Sequence, residues 1–142
     1  IYICCFYKLY VTNHINSIIM KKGEIYKVRG KRHSYYWHPF VFWEDIDANH
    51  FKGVMLTSTR TNFSNNVRMS YSCFKSGFEL GYNNSQFVLA KLIKDVPRGR
   101  LIKVGELTEE GLELIGTHIG ELPDSTWNEV RPEGIRNSSF TL

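Results

Sequence analysis

"RGRLIKVGELTEEGLELIGTHIG", residues 98–120, is where the chain changes its period. Leu112, Ile115 and Ile119 recur at three- and four-residue spacing, the pattern of one helix face. Thr108 is suited to cap that helix. Glu109 and Glu110 follow it in the first turn, where the positive end of the helix favours acids. The full capping box is absent, because Gly111 stands where a Glu or Gln would reach back. The spacing predicts a short helix from about Glu109 to Ile119, ending near Gly120.

Upstream of this stretch the chain reads as strands and turns. "GEIYKVRG" (23–30) alternates, with Ile25 on one face and Tyr26 and Val28 on the other, and closes on Gly30. "HPFVFWEDI" (38–46) is an unbroken apolar run after a proline, the pattern of a strand buried on most sides, and Pro39 is tolerable at its start. "DANHFKG" (47–53) is turn chemistry, and a third strand is predicted from Val54 to about Thr57. "NVRMSY" (66–71) alternates through Val67, Met69 and Tyr71 and reads as a fourth strand. After the turn "GYNNS" (81–85), "QFVLAKLIKDV" (86–96) is β-rich. Residues 121–142, with Pro123, Pro132 and Gly134, read as an irregular tail. Short strands with close turns and then one helix predict a mainly β domain, a small curled barrel with a helix packed on it.

The 142 residues suffice for one domain with one modest core. The net charge of +4 is mild but unevenly placed. Lys21, Lys22, Lys27, Arg29, Lys31 and Arg32 crowd the front, and acids dominate from Glu106 to Glu133. One face for an anion and another for a different purpose is the functional reading; two ordinary solvated surfaces is the bland one. Cys4, Cys5 and Cys73 have neither a disulfide framework nor a metal-ligand spacing, which fits a reducing, cytoplasmic setting. Residues 1–19 contain no apolar run near the ~20 residues of a membrane span and no signal-peptide pattern. "MKKGEIY", beginning at Met20, reads like a natural start, so residues 1–19 are expected to be upstream reading frame or a non-essential extension; an extra strand is the alternative.

Three ordered pieces resemble the MazF/PemK family of ribonuclease toxins from toxin–antitoxin pairs. They are "KKGEIYKV" (21–28), "HPFVFWED…FKGVMLTST" (38–45 and 51–59) and "RGRLIKVGELTEEGLELI" (98–115), and together they cover about Lys22 to Ile119. The resemblance implies an SH3-like β-barrel with one C-terminal helix packed on it. It implies a homodimer that cuts single-stranded RNA with no metal or other cofactor. It also implies a cognate antitoxin whose acidic segment lies over the RNA groove, and no membrane partner. The family's catalytic threonine falls on Thr57, in "MLTST". One position departs from the pattern: the arginine common before the second-strand proline is here His38, in "YYWHP".

RNA cleavage without a metal uses the neighbouring 2′-hydroxyl as nucleophile. A proton must leave it, another must reach the departing 5′-oxygen, and the extra charge on phosphorus must be stabilised. Histidine titrates near neutrality, whereas arginine keeps its proton, so His38 suits acid or base work and Arg32 charge stabilisation. Thr57 would position the phosphate, with Ser58 and Arg60 in "TSTRT" (57–61) beside it. The bland readings are a histidine packed at a strand start and hydroxyls that suit a strand end. "RGKRHSYYWHPF" (29–40) then reads as one wall of an RNA groove. Lys31 and Arg32 would attract the backbone, His33 is a second candidate histidine on the loop itself, and Tyr35, Tyr36 or Trp37 would stack on unpaired bases, although some of these rings must fill the core. The rival class is a non-catalytic SH3-like module that binds nucleic acid or protein, including a toxin relative that no longer cuts.

Overall fold

The computed structural model describes residues 19–28, 38–57, 66–75, 88–99 and 101–130. The alternation around Ile25 becomes strand β1, Glu24–Val28. The apolar run after Pro39 becomes β2, Phe40–Asp45. It turns tightly into β3, His50–Thr57, which starts earlier than the turn-like residues before it suggest. The reason is local. The Asp47 carboxylate accepts from the backbone N–H groups of Asn49 and His50, both at 2.8 Å, and so compresses the turn. β4 is Val67–Arg68, β5 Val88–Pro97 and β6 Leu101–Glu106. The predicted fourth strand is therefore cut short. A 3-10 turn at Tyr71–Cys73 bends the chain so that Met69 and Cys73 both reach the core.

These strands form one sheet in the order β4-β5-β3-β2-β1-β6, antiparallel at every step. The molecule is thus mainly β, with one substantial helix, α1 (Glu109–His118). Among the described residues the ladder does not run from β6 back to β4, so the sheet is open. Its two ends nevertheless meet just past their last strands. Phe74 bridges Leu107, the Lys75 N–H donates to the Glu106 carbonyl at 3.0 Å, and the Thr108 N–H donates to the Cys73 carbonyl at 2.9 Å.

Both faces of the sheet are apolar, which is why "FVFW" could be written without interruption. Val41, Val54, Leu56 and Ile25 pack on one face with Met69, Cys73, Leu107 and Ile115, under α1. Phe40, Phe42, Phe51 and Met55 pack on the other with Ile93, Val96 and Trp127. Thr108 caps α1 as its sequence suggests: its hydroxyl oxygen accepts from the Gly111 N–H at 3.3 Å and its O–H donates to the Ser72 carbonyl at 2.6 Å. Gly111 lies against the backbone of Cys73, whose carbonyl carbon would be 3.2 Å from an added Cβ. A side chain here would collide with the turn that the cap holds, so the glycine reflects close approach rather than a missing capping partner.

The stretch from Glu121 onward differs from the irregular tail predicted for it. Asp124–Ser125 (β7) pairs in parallel with β5, and Trp127–Val130 forms a short helix, α2. Trp127 is buried edge-on against Phe40 at 5.6 Å, and its backbone N–H donates to Asp95 at 2.7 Å. One buried indole and one charge-assisted hydrogen bond hold the segment where its prolines suggested none would form. Residues 1–18 and 131–142 lie outside the described residues. Among those described, no helix is long and apolar enough to cross a membrane.

Candidate functional site

The site grows out of a missing donor. β2 and β3 pair with Phe40 opposite Met55 and Val41 opposite Val54, and the register continues as the Leu56 N–H donates to the Pro39 carbonyl at 2.9 Å. In an antiparallel ladder such a pair exchanges two hydrogen bonds. Pro39 has no N–H, so the Leu56 carbonyl loses its ladder donor. The ring of His38, one residue earlier, hydrogen-bonds to the Leu56 backbone in its place. His38, just outside β2 where the chain bends, is thereby held beside the end of β3, next to Leu56 and Thr57.

Alternation along β3 places Thr57 on the sheet face of Met55. His38 is partly buried, and Thr57 is buried at 6% exposure. Burial pushes the His38 imidazole below its ordinary value, and the hydrogen bond to Leu56 opposes that only in part. Burial thus favours the neutral ring. With one nitrogen donating to a carbonyl, the other is an acceptor, able to take a proton.

A row runs across the sheet from Thr57. Thr57 pairs with Val88, and Val88 pairs with Arg68. On the other side of the sheet Val28 pairs with Leu101. Arg68 and Thr57 thus occupy one level of one face. Arg68 lies two strands, about 10 Å, from Thr57. Sequence reasoning missed Arg68 as a site residue. The signal was present in "NVRMSY", where Val67 and Met69 turn inward and leave Arg68 outward, but its place in the row depends on β5 pairing with both β3 and β4.

Of the site residues predicted from sequence, His38 and Thr57 are brought together. Lys31, Arg32, His33, Tyr35, Tyr36, Trp37, Ser58 and Arg60 lie outside the described residues. Their segments attach at His38 and Thr57, 29–37 between Val28 and His38 and 58–65 directly after Thr57.

The other charge clusters sit elsewhere. Lys103 bridges Glu24 at 2.7 Å and Glu106 at 2.5 Å, and Lys75 joins Glu106 at 2.7 Å. This network ties the start of β1 to the end of β6, about 13 Å along β1 from Val28. Hydrogen bonds from Lys103 and Lys75 hold the Glu106 carboxyl down to about 2, while burial, aided by Glu24, pushes the Tyr26 hydroxyl up to about 12. Arg98 pairs with Asp45, donates to the Asp47 carbonyl at 3.1 Å and lies over the Phe42 ring, all at the far end of β2. Among the described residues no three His, Cys, Asp or Glu side chains gather where they could hold a metal ion.

Comparison with protein-family models, with curated proteins and with solved structures finds no match to this chain.

Proposed function

We propose that this chain is a MazF/PemK-like endoribonuclease toxin that cuts single-stranded RNA through attack of the 2′-hydroxyl on the adjacent phosphorus. The observation that carries the reading is the approach of His38 to the end of β3: its ring hydrogen-bonds to the backbone of Leu56, the residue before Thr57, and both His38 and Thr57 were singled out by their chemistry and motif positions. In this reading the neutral His38 ring takes the 2′-hydroxyl proton and, once protonated, supplies one to the departing 5′-oxygen. Thr57 positions the phosphate, and Arg32 answers its growing charge. In this reading the sheet curls toward an SH3-like barrel, and the Phe74–Leu107 bridge between its two ends supports it. The partners are single-stranded RNA, a second copy of the chain and an acidic antitoxin, and the setting is cytoplasmic.

A second reading follows from a specific observation. The His38 ring restores the hydrogen bond that Pro39 withholds from Leu56, which is reason enough for a histidine in a module that binds nucleic acid or protein and cuts nothing. His38→Asn separates the two, because an amide can still donate to a carbonyl but cannot carry a proton at neutral pH. The full-length protein is incubated with mixed-sequence single-stranded RNA and a chelator, beside Thr57→Ala, His38→Ala and His38→Asn. Cleavage by wild type alone, leaving cyclic phosphate ends, supports the ribonuclease. Cleavage retained by a folded His38→Asn removes His38 from proton transfer, and RNA bound but uncut by wild type favours the binding module.

A further inference from the structure

Arg68 and Tyr71 belong to neither the pair nor the core. Between Val67 and Cys73 the chain turns Val67, Met69 and Cys73 inward, against the face that holds Leu56 and Ile115. Arg68, Ser70, Tyr71 and Ser72 are left exposed. Tyr71 is 86% exposed, the most open of the large apolar side chains described. Burying a ring is among the larger gains open to a fold, and here that gain is forgone.

The ring does not sit on a loose loop. The Cys73 N–H donates to the Ser70 carbonyl at 3.0 Å and the Phe74 N–H to the Tyr71 carbonyl at 3.2 Å. The Ser70 and Ser72 hydroxyls join at 2.7 Å, and the Thr108 hydroxyl holds the Ser72 carbonyl at 2.6 Å. The platform is therefore fixed from within its own turn and from the helix cap. Arg68 is uncommitted in the same sense. The other described arginine, Arg98, is paired with Asp45, whereas Arg68 makes no ion pair among the described residues. Tyr71 lies three positions after Arg68, a reach of at most about 11 Å. Arg68 also shares its level with Thr57 through Val88.

An exposed ring on a braced turn, three positions from an exposed guanidinium that makes no ion pair among the described residues, is the chemistry that grips single-stranded nucleic acid. The cation meets phosphate and the ring face meets an unpaired base. We propose that Arg68 and Tyr71 form a second contact strip for single-stranded RNA, Arg68 holding a phosphate next to the one at Thr57 and Tyr71 stacking on a base beyond it. The proposal rests on the RNA reading above. It extends the groove from Thr57 toward β4.

The test uses the full-length protein and a short, fluorescein-labelled, 2′-O-methyl single-stranded RNA, which has no free 2′-hydroxyl and so stays whole. Affinity is read by anisotropy over a salt series. Tyr71→Ala should weaken binding roughly 5- to 150-fold, and Tyr71→Phe should restore it, since stacking needs the ring and not the hydroxyl. Arg68→Ala should lower the magnitude of the slope of log affinity against log salt by about 0.7, the share of one phosphate on a single strand, and Arg68→Lys should keep the slope. Both side chains are exposed, so thermal unfolding should match wild type in all four variants. Wild-type affinity and slope in Tyr71→Ala and Arg68→Ala would overturn this strip while leaving the RNA reading intact. Absence of RNA binding by wild type itself would overturn that reading and this inference with it.

Discussion

Gly111→Ala sets two effects of opposite sign against each other. Alanine in a helix is favoured over glycine by about 1 kcal/mol. At Gly111 the added Cβ would fall inside contact distance of the Cys73 carbonyl oxygen, with the carbonyl carbon and the Leu107 Cβ each at 3.2 Å. The obstacle is backbone, not the end of a flexible chain. That carbonyl also accepts from the Thr108 N–H at 2.9 Å, and the next residue bridges Leu107, so it cannot swing aside without loosening the cap and the join between the sheet's ends. Overpacking of this kind costs roughly 1–3 kcal/mol, and a weakened Thr108 cap adds about 1 kcal/mol. Set against the gain in propensity, the expected outcome is a net loss of about 1–3 kcal/mol. Gly116→Ala is the control on the same helix. Among the described residues its Cβ would meet only the Trp43 ring, at an ordinary 3.9 Å, so it should be neutral or stabilise by up to about 1 kcal/mol. Urea unfolding followed by tryptophan fluorescence measures both. If Gly111→Ala is as stable as wild type, the close approach of α1 to the turn after β4 is wrong.

Trp127→Ala should destabilise by about 3–5 kcal/mol in the same assay, because the ring is 6% exposed and seals Phe40; a loss under 1 kcal/mol would detach residues 124–130 from the fold. His38, depressed chiefly by burial, should titrate by NMR with a midpoint below 6.5. Its contribution to stability is present above 6.5 and lost as the pH falls through that lower midpoint, because the unfolded chain takes up the proton first; a midpoint at or above 6.5 contradicts the burial. Glu106 is also depressed, so its contribution is present above 4.5 and lost as the pH falls toward about 2. Glu106→Gln should therefore flatten the acid limb of a stability–pH curve relative to wild type, by only about 0.2–1 kcal/mol because the pair is partly exposed. An unchanged acid limb would mean that Lys103 and Lys75 do not act on it.

The elements that could be read from the chain were those with a strong local period. The run from Phe40 to Trp43 had to be buried on both faces, and the spacing of Leu112 and Ile115 behind Thr108 had to be a capped helix. β7 and α2 had no such signal. Two residues make no period, and Trp127 finds its place only because Phe40 and Asp95, distant in sequence, are there to receive it. The same limit applies to the site. His38 and Thr57 could each be chosen by chemistry and motif, but their meeting depends on a register set by Val41 and Val54. The role of Pro39 shows only once Leu56 is known to lie opposite. Arg68 could be read as outward and no further, since its level is decided by β5.

The place of β1 between β2 and β6 has a consequence for how the chain comes into being. β1 finds its first neighbour almost at once but must wait for Leu101–Glu106 to gain its second. At 5–20 residues per second, synthesis from Val28 to Leu101 occupies on the order of 4–15 s. Through that interval one edge of the nascent sheet is unpaired, with the pairing groups of Glu24–Val28 open to any passing strand. Non-local closure of this kind also slows folding once the chain is complete. Only when Leu101–Glu106 has emerged does β1 gain its second neighbour, so the edge beside the start of the chain stays open through most of its synthesis.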